Sequence, residues 1–461
     1  MNDRIRKLRE QSLTAVPTIS LERAQLLTEF YKSGAAEREP VPVARAMAFK
    51  YLLEHETICI NEGELIVGER GPSPKAAPTY PEICTHSMQD FDILHNREKV
   101  SFKVDETARQ IQHNTVMPFW SGRSMRDRIF REVDREWIDA YQAGIFTEFQ
   151  EQRAPGHTVN GNKIYRHGFR DFKRQIQQSI ERLDFYADPE AFSKREQLRA
   201  MSIAADAIIA LAERYAEKLT ELAATESDPV RQAELRQMVA ICRHVPANAP
   251  RNLWEALQCY WFVHLGVITE LNTWDSFNPG RLDQHLLPFY RADIANGTLD
   301  QARATELLQA FWVKFNNQPA PPKVGVTAQE SNTYTDFCLI NLGGVTEAGE
   351  DAANELTFLL LDVIEEMRLL QPSSMVQVSK KSPERLLHRA LKIIRTGYGQ
   401  PSLFNTDAIV AELLRQGKSV VDARNGGASG CVESGAFGKE AYILTGYFNL
   451  VKVLEITLNN G

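Results

Sequence analysis

The chain has 461 residues, of which 43% are hydrophobic and 25% charged, the composition of a folded globular protein that can bury a large core. Its formal net charge of -7 argues against a general binder of nucleic acids or anionic membranes, because such proteins present basic patches. Its apolar stretches, such as residues 260–268, are shorter than the roughly 20 residues that span a bilayer.

The first third of the chain predicts short helices and loops. The charged start, Met1-Asn2-Asp3-Arg4, leads into no apolar signal segment, so we expect a cytoplasmic protein. Ser20 is predicted to cap a helix. Residues 43–53 place apolar side chains near helical spacing and predict an amphipathic helix. An irregular segment is expected where prolines cluster, at Pro72, Pro74, Pro78 and Pro81.

The rest of the chain alternates helical patterns with short apolar runs. Helical periodicity predicts helices over residues 198–226, 229–245, 252–270, 299–315, 354–369 and 384–395. Buried strands are predicted at 337–342 and 374–378, and this alternation favours an α/β fold. Polar, turn-rich loops are expected at 152–158, 272–277, 316–322, 330–334 and 400–405. Such loops build the active site in barrel enzymes.

The cysteines show no metal or disulfide pattern. No C-x-x-C pair or zinc-binding histidine motif is present, and the sequence contains no nucleophile elbow, Walker loop or dinucleotide fingerprint. Free thiols in a reducing compartment are therefore expected, with no metal site. The six cysteines are Cys59, Cys84, Cys242, Cys259, Cys338 and Cys431.

Cys431 has unusual neighbours, because it lies between Gly430 and Val432 with Glu433 two residues on. If this run is extended, residues 431 and 433 project to the same side, and a thiol and a proton acceptor face one substrate. The alternative is an inert cysteine in a glycine-rich turn, with Glu433 as a surface charge. The run Gly-Gly-Ala-Ser-Gly before Cys431 has almost no side-chain bulk and favours a functional loop.

Two further residues are candidates for chemistry. His157 follows Pro155-Gly156 in a predicted loop and could exchange a proton near neutral pH, although most lone loop histidines are simply solvated. Asp275 lies beside Trp274 and could bind an amine, although a capping or turn aspartate is about equally consistent with the sequence.

The segment from Gly430 to Glu433, with 437–442 and 444–447 behind it, resembles the cysteine loop of the glycyl radical enzymes, the pyruvate formate-lyase-like family. The resemblance covers the whole chain and includes residues 64–69, 279–284 and 404–407. It implies a ten-stranded α/β barrel made of two five-stranded halves, with the cysteine loop at its centre.

The family resemblance also implies a mechanism. A radical stored on a backbone glycine, installed by a radical-SAM activating enzyme, passes to Cys431, whose thiyl then abstracts hydrogen from a small-molecule substrate. No bound cofactor is expected, and neither a nucleic acid nor a membrane is an expected partner. The protein is expected to form a homodimer. The glutamate at 433 is typical of the eliminating branches, where it serves as the base.

Within the family, the predicted loops resemble those of the branch that dehydrates trans-4-hydroxy-L-proline to 1-pyrroline-5-carboxylate. Cys431 would take hydrogen from C5, and Glu433 and His157 would assist loss of the C4 hydroxyl. The residues expected to bind the substrate are Asp275 for the ring amine, Ser331 for the carboxylate, and Phe149, Phe337 and Tyr447 as pocket walls.

Cleavage of isethionate, or another glycyl radical elimination, is the alternative, and Arg153 keeps it open because a sulfonate requires basic or amide partners. The pair His157 and Asp275 suits an amino acid better.

Residues 1–461 are expected to form one pyruvate formate-lyase-like domain, comprising an N-terminal helical part and the first barrel half, with the cysteine loop at 425–450. The family's C-terminal radical glycine region is missing from these residues, since the look-alikes at Gly397 and Gly446 are in the wrong place. Three hypotheses follow: a piece of a longer dehydratase, a subunit completed by a separate chain, or a truncated non-catalytic subunit that binds a ligand or a partner.

Overall fold

The computed structural model describes residues 1–148, 157–271, 277–320, 322, 324, 338–430, 432–442 and 446–460. Helices dominate the described residues, and two of them join through a π-helical turn at Gln112–Val116. The α-helices are α1 Asp3–Thr14, α2 Glu22–Lys32, α3 Val41–His55, α4 Met88–Asn96, α5 Glu106–Ile111, α6 Met117–Trp120, α7 Met125–Glu132, α8 Arg135–Gln142, α9 Phe169–Glu181, α10 Ala191–Thr225, α11 Pro229–His244, α12 Leu253–Glu270, α13 Leu282–Ala295, α14 Gln301–Asn316, α15 Glu355–Met367, α16 Glu384–Ile394, α17 Thr406–Arg415, α18 Val420–Arg424 and α19 Leu450–Asn459.

The strands of the described residues are short and fall into five small sheets. Their bounds are β1 Thr18–Ser20, β2 Ala76–Pro78, β3 Phe146–Glu148, β4 His157–Val159, β5 Phe277–Asn278, β6 Gly280–Arg281, β7 Leu339–Gly343, β8 Ser373–Val378, β9 Ser402–Asn405, β10 Gly427–Ser429, β11 Glu433–Gly435, β12 Ala441–Tyr442 and β13 Gly446–Phe448.

The parallel strands lie side by side in chain order. β4 pairs with β5, and after the break at Pro279 the chain continues as β6, which pairs with β7. β7 pairs with β8 and β8 with β9, all in parallel. Helices connect each pair of parallel neighbours, as parallel pairing requires. The described residues therefore form an α/β fold with five parallel strand positions, and the predicted fold class is confirmed.

The α12 helix forms the centre of the main core, because apolar side chains cover nearly its whole circumference. Trp254 and Trp261 donate their indole N–H groups to the main-chain oxygens of Leu65 and Gly68, at 2.8 and 2.9 Å. Gln258 bonds to both the N–H and the carbonyl of Val67, each at 2.9 Å. Side chains of α12 thus bind the main chain of the segment 64–69. No helix among the described residues is long and apolar enough to cross a membrane.

Most predicted elements are present with shifted ends. The predicted 198–226 helix begins earlier, at Ala191, and the 252–270 helix begins at Leu253 with Asn252 as its cap. The cap expected at Ser20 is wrong, because Leu21 takes the N-cap position of α2 without a side-chain bond.

The loop predicted at 400–405 is also wrong. Residues Ser402–Asn405 form β9, since main-chain pairing with β8 overrides the turn-forming local sequence.

Candidate active site

The run around Cys431 forms a β-hairpin. Strands β10 and β11 pair antiparallel, with Ser429 opposite Glu433, so residues 430–432 connect them. Gly430 has a φ of +52°, a conformation that favours glycine, and Val432 lies in a turn. The paired strands therefore end at Ser429 and resume at Glu433, so strand periodicity does not relate residues 431 and 433.

Buried amide side chains from three of the parallel strands hold this hairpin. Asn278 of β5 donates its Nδ2 to the hydroxyl of Ser429 at 2.7 Å. Asn341 of β7 donates to the carbonyl of Ala428 at 2.9 Å. Gln377 of β8 donates to the carbonyl of Gly426 at 3.1 Å. We call Asn278, Asn341 and Gln377 the amide cradle; all three side chains are buried.

The hairpin approaches the cradle so closely that β10 must begin with glycine. A methyl group on Gly427 would overlap the amides of both Asn341 and Gln377, and would lie 2.6 Å from Cζ of Phe437. Contacts this short do not occur between real side chains, so the neighbours would have to move. The absence of a side chain at 427 therefore allows the main chain to reach the amides.

Glu433 is half-buried at the base of the turn. Its Oε2 accepts the main-chain N–H of Val432 at 3.0 Å, so the carboxylate helps to close the connection that contains Cys431. An ionised carboxylate has two oxygens and about four lone-pair sites. One such bond leaves it capacity to accept a proton from a substrate.

The segment after the hairpin returns past the strand of His157. Tyr442 of β12 lies opposite His157 of β4, on the side of β4 away from β5. Gly438 also donates its N–H to the carbonyl of Val159 at 2.9 Å. The backbone therefore connects the hairpin to the His157 strand, and His157 begins a strand rather than lying in the predicted loop.

The strand of Tyr447 pairs elsewhere. β13 runs antiparallel to β3, with Tyr447 opposite Thr147, two residues before Phe149. Five of the predicted site residues lie outside the described residues, as do the side chains of His157 and Tyr447, and their roles stay predictions. These five are Cys431, Asp275, Ser331, Phe149 and Phe337.

The described part of the chain holds no group of three or more histidine, cysteine, aspartate or glutamate side chains placed to bind a metal ion. The described cysteines are free thiols, and burial raises the pKa of Cys59 to about 12. At neutral pH this thiol stays protonated, which makes it a poor nucleophile.

Sequence reasoning missed the amide cradle, although a signal was present. Asn341 interrupts the apolar run 337–342, and Gln377 interrupts the apolar run 374–378. A polar side chain inside a buried strand requires a hydrogen-bond partner. Each amide thus indicated a hydrogen-bond partner other than the neighbouring strand. That partner is a hairpin about 50 to 90 residues later, and the local sequence pattern does not identify it.

Comparison with known proteins places the whole chain in one family. The family model described as pyruvate formate lyase-like matches residues 1–461. Trans-4-hydroxy-L-proline dehydratase of Clostridioides difficile is 55% identical over 459 residues, covering 100% of this chain and 58% of that relative. Isethionate sulfite-lyase of Oleidesulfovibrio alaskensis is 32% identical, covering 96% of this chain and 55% of that relative.

A solved structure is similar to the whole chain as well. The crystal structure of the C. difficile hydroxyproline dehydratase with trans-4-hydroxy-L-proline bound superimposes with a TM-score of 0.97 at 54% identity, covering 100% of this chain and 58% of that one. The chain thus spans a little over half the length of the relatives that it matches.

Proposed function

Because the chain belongs to the pyruvate formate-lyase-like family of glycyl radical enzymes, we propose that it is the cysteine-bearing part of a lyase that dehydrates trans-4-hydroxy-L-proline. The observation that carries this proposal is the 55% identity to the C. difficile dehydratase along the entire chain, against 32% to the isethionate sulfite-lyase. The hairpin supports it, since the strands on either side of residue 431 pair with each other and the carboxylate of Glu433 accepts the main-chain N–H of Val432.

The proposed reaction removes one water molecule. A Cys431 thiyl takes a hydrogen atom from C5 of the ring, so that an S–H bond forms as a C–H bond breaks. The C4 hydroxyl leaves as water with a proton from His157, while Glu433 accepts a proton from the substrate. The S–H then returns its hydrogen atom to the carbon radical, and the product is 1-pyrroline-5-carboxylate.

Substrate binding is proposed to match both charges of a small zwitterion. Asp275 binds the ring amine, Ser331 binds the carboxylate, and Phe149, Phe337 and Tyr447 exclude water. A zwitterion leaves water at a high cost unless its charges find partners. Asp275 and Phe337 each lie two residues before a strand that carries a cradle amide, β5 and β7 respectively. This placement supports a pocket at the hairpin.

The glycyl radical and the partners also belong to the proposal. When installed by a radical-SAM activating enzyme, a glycyl radical supplies the unpaired electron that Cys431 uses. We propose a homodimer as the working assembly. The reducing cytoplasm is the proposed compartment, which suits the free thiols of the described cysteines.

The test is anaerobic activation of the full-length protein followed by assays with trans-4-hydroxy-L-proline and isethionate in parallel. Cys431→Ser should abolish turnover, because an alcohol does not form the relay radical, while the glycyl radical signal in electron paramagnetic resonance stays at the wild-type level. Glu433→Gln should lower kcat by about 10²-fold or more, the usual contribution of a general base. Residual dehydration by Cys431→Ser would contradict the radical mechanism, and turnover of isethionate alone would contradict the substrate.

A further inference from the structure

The bond pattern of Asn341 differs from that of an ordinary buried amide. Its Nδ2 donates to the carbonyl of Ala428 at 2.9 Å, and its Oδ1 accepts the N–H of the same residue at 3.2 Å. A neighbouring β-strand offers a residue the same pair of bonds. The side chain of Asn341 therefore takes the place of a third strand beside the hairpin.

The orientation of this amide is fixed by its neighbour. Nε2 of Gln377 donates to Oδ1 of Asn341 at 3.1 Å and to the carbonyl of Gly426 at 3.1 Å. With Oδ1 accepting from Gln377, the Nδ2 of Asn341 must point to the carbonyl of Ala428. The two amides bind Gly426 and Ala428 in the approach to Cys431, since Gly427 between them leaves room for both amides.

The hairpin needs such support to hold a fixed position. An isolated two-stranded hairpin is only marginally stable in water, and this one has three residues in each strand. Hydrogen transfer requires the reacting atoms at about 3–3.5 Å, and a displacement of about 1 Å can cost about 10²-fold in rate. A hairpin that shifts on the sheet would move residue 431 by such amounts.

We infer that Asn341 is a positioning residue, which holds the cysteine hairpin at a fixed height over the parallel strands while Gln377 fixes the orientation of its amide. This inference rests on the proposed function, because it assigns to Asn341 the alignment of the Cys431 sulfur with the substrate carbon. Asn341 acts through the hairpin main chain and makes no proton or hydrogen transfer itself.

The test compares Asn341→Leu with Asn316→Leu in the activated full-length protein. Leucine keeps the approximate shape of asparagine and removes its hydrogen bonds. Asn316 is a suitable control because it is also buried and bonds through Nδ2 to Ser12 at 2.8 Å, in the N-terminal part. The substrate is trans-4-hydroxy-L-proline, unlabelled and deuterated at C5.

For Asn341→Leu we expect kcat to fall by about 10- to 100-fold with KM changed less than about threefold. The deuterium isotope effect on kcat should rise, because hydrogen abstraction becomes the slow step, while radical content stays at the wild-type level. Amide hydrogen exchange should be at least about tenfold faster in peptide 426–435 than in the control. A purely structural role would lower thermal stability in both variants and change neither the isotope effect nor this exchange.

Equal kcat, isotope effect and hairpin exchange in the two variants would overturn the inference. If Asn341→Leu does not fold, Gln377→Met gives the answer, since it removes the bond that fixes the orientation of the Asn341 amide. An unchanged isotope effect and unchanged exchange in Gln377→Met would also contradict the inference. A wild-type enzyme that does not dehydrate hydroxyproline contradicts the proposed function instead, and hydrogen exchange still decides the role of Asn341.

Discussion

Two of the buried polar networks among the described residues use different chemistry. The amide cradle is neutral and bonds mainly to the main chain of the hairpin. The second network, which we call the lysine cluster, is charged: Nζ of Lys314 lies 2.5 Å from Glu64 and 2.6 Å from Glu69. Each of these three side chains is at most 3% exposed. The remaining members of the lysine cluster are Asn61, Asn317 and Gln318.

The two networks differ in how far their buried charge lies from the candidate site. The lysine cluster ties the segment 64–69 to α14, where no candidate site residue lies. The cradle bonds to the strand opposite Glu433, the proposed base, and a full charge in the cradle would interact with that carboxylate. Amides provide directional bonds without that effect. The networks therefore predict different responses to mutation and to pH.

The largest effect is expected for Lys314→Met. It leaves Glu64 and Glu69 buried without a cation, which costs about 3–5 kcal/mol of unfolding free energy. Urea denaturation measures this loss. The matched control is Lys381→Met, which breaks the exposed pair with Glu350 and should cost about 0–1 kcal/mol.

Removing every charge of the lysine cluster tests whether the unpaired carboxylates cause this loss of stability. The triple variant Lys314→Met, Glu64→Gln, Glu69→Gln should be more stable than Lys314→Met alone, because neutral replacements avoid uncompensated buried charge. If the triple variant is less stable than the single one, the cost in Lys314→Met comes from lost packing rather than from unpaired carboxylates.

A smaller effect is expected in the cradle for Gly427→Ala. The added methyl overlaps Asn341 and Gln377, so the hairpin must shift, at a cost of about 1–3 kcal/mol. Turnover should fall much more than stability, since the shift moves the hairpin that carries Cys431. Gly417→Ala is the comparison. Gly417 has a φ of +83° and open space around it, so this substitution lowers stability through backbone strain alone. Equal turnover in the two variants would mean that a shift of the hairpin on the cradle does not affect catalysis.

The smallest effect is expected from alkaline pH. Burial lowers the pKa of Lys314, but the carboxylates of Glu64 and Glu69 raise it more, so the pKa lies above its usual 10.5. A raised pKa in the folded state gives stability that is complete below about pH 10.5 and is lost as pH rises further. Between about pH 9 and pH 11, wild type should lose up to about 1 kcal/mol more than the triple variant. An equal loss would mean that the pKa of Lys314 is not raised in the folded state.

The motifs that carried the family resemblance are mostly structural. Gln258 and two tryptophans of α12 bind the segment 64–69 through its main chain. Arg281 of the 279–284 run donates to the carbonyls of Arg424 and Gly343, at 2.8 and 2.6 Å. Asn405 caps α17, accepting the N–H of Ala408 at 3.1 Å. Their sequence patterns identified the family without indicating these contacts, because each contact joins residues that are distant in sequence or depends on a local fold.

Local sequence by itself determined the helices and the glycine-rich turn. Apolar spacing predicted α11, α12 and α14 to within a few residues, since helix hydrogen bonds and side-chain periodicity are local. Gly430 and its small neighbours predicted a loop at Cys431, although not the positive φ of Gly430 or the pairing of the strands on either side.

Tertiary structure alone decided what surrounds that turn. The strand β9 exists because β8 pairs with it, and the hairpin has a fixed place because Asn278, Asn341 and Gln377 reach it from separate strands. Burial turns these amides into obligatory hydrogen-bond partners, and only the folded chain brings their partners within reach.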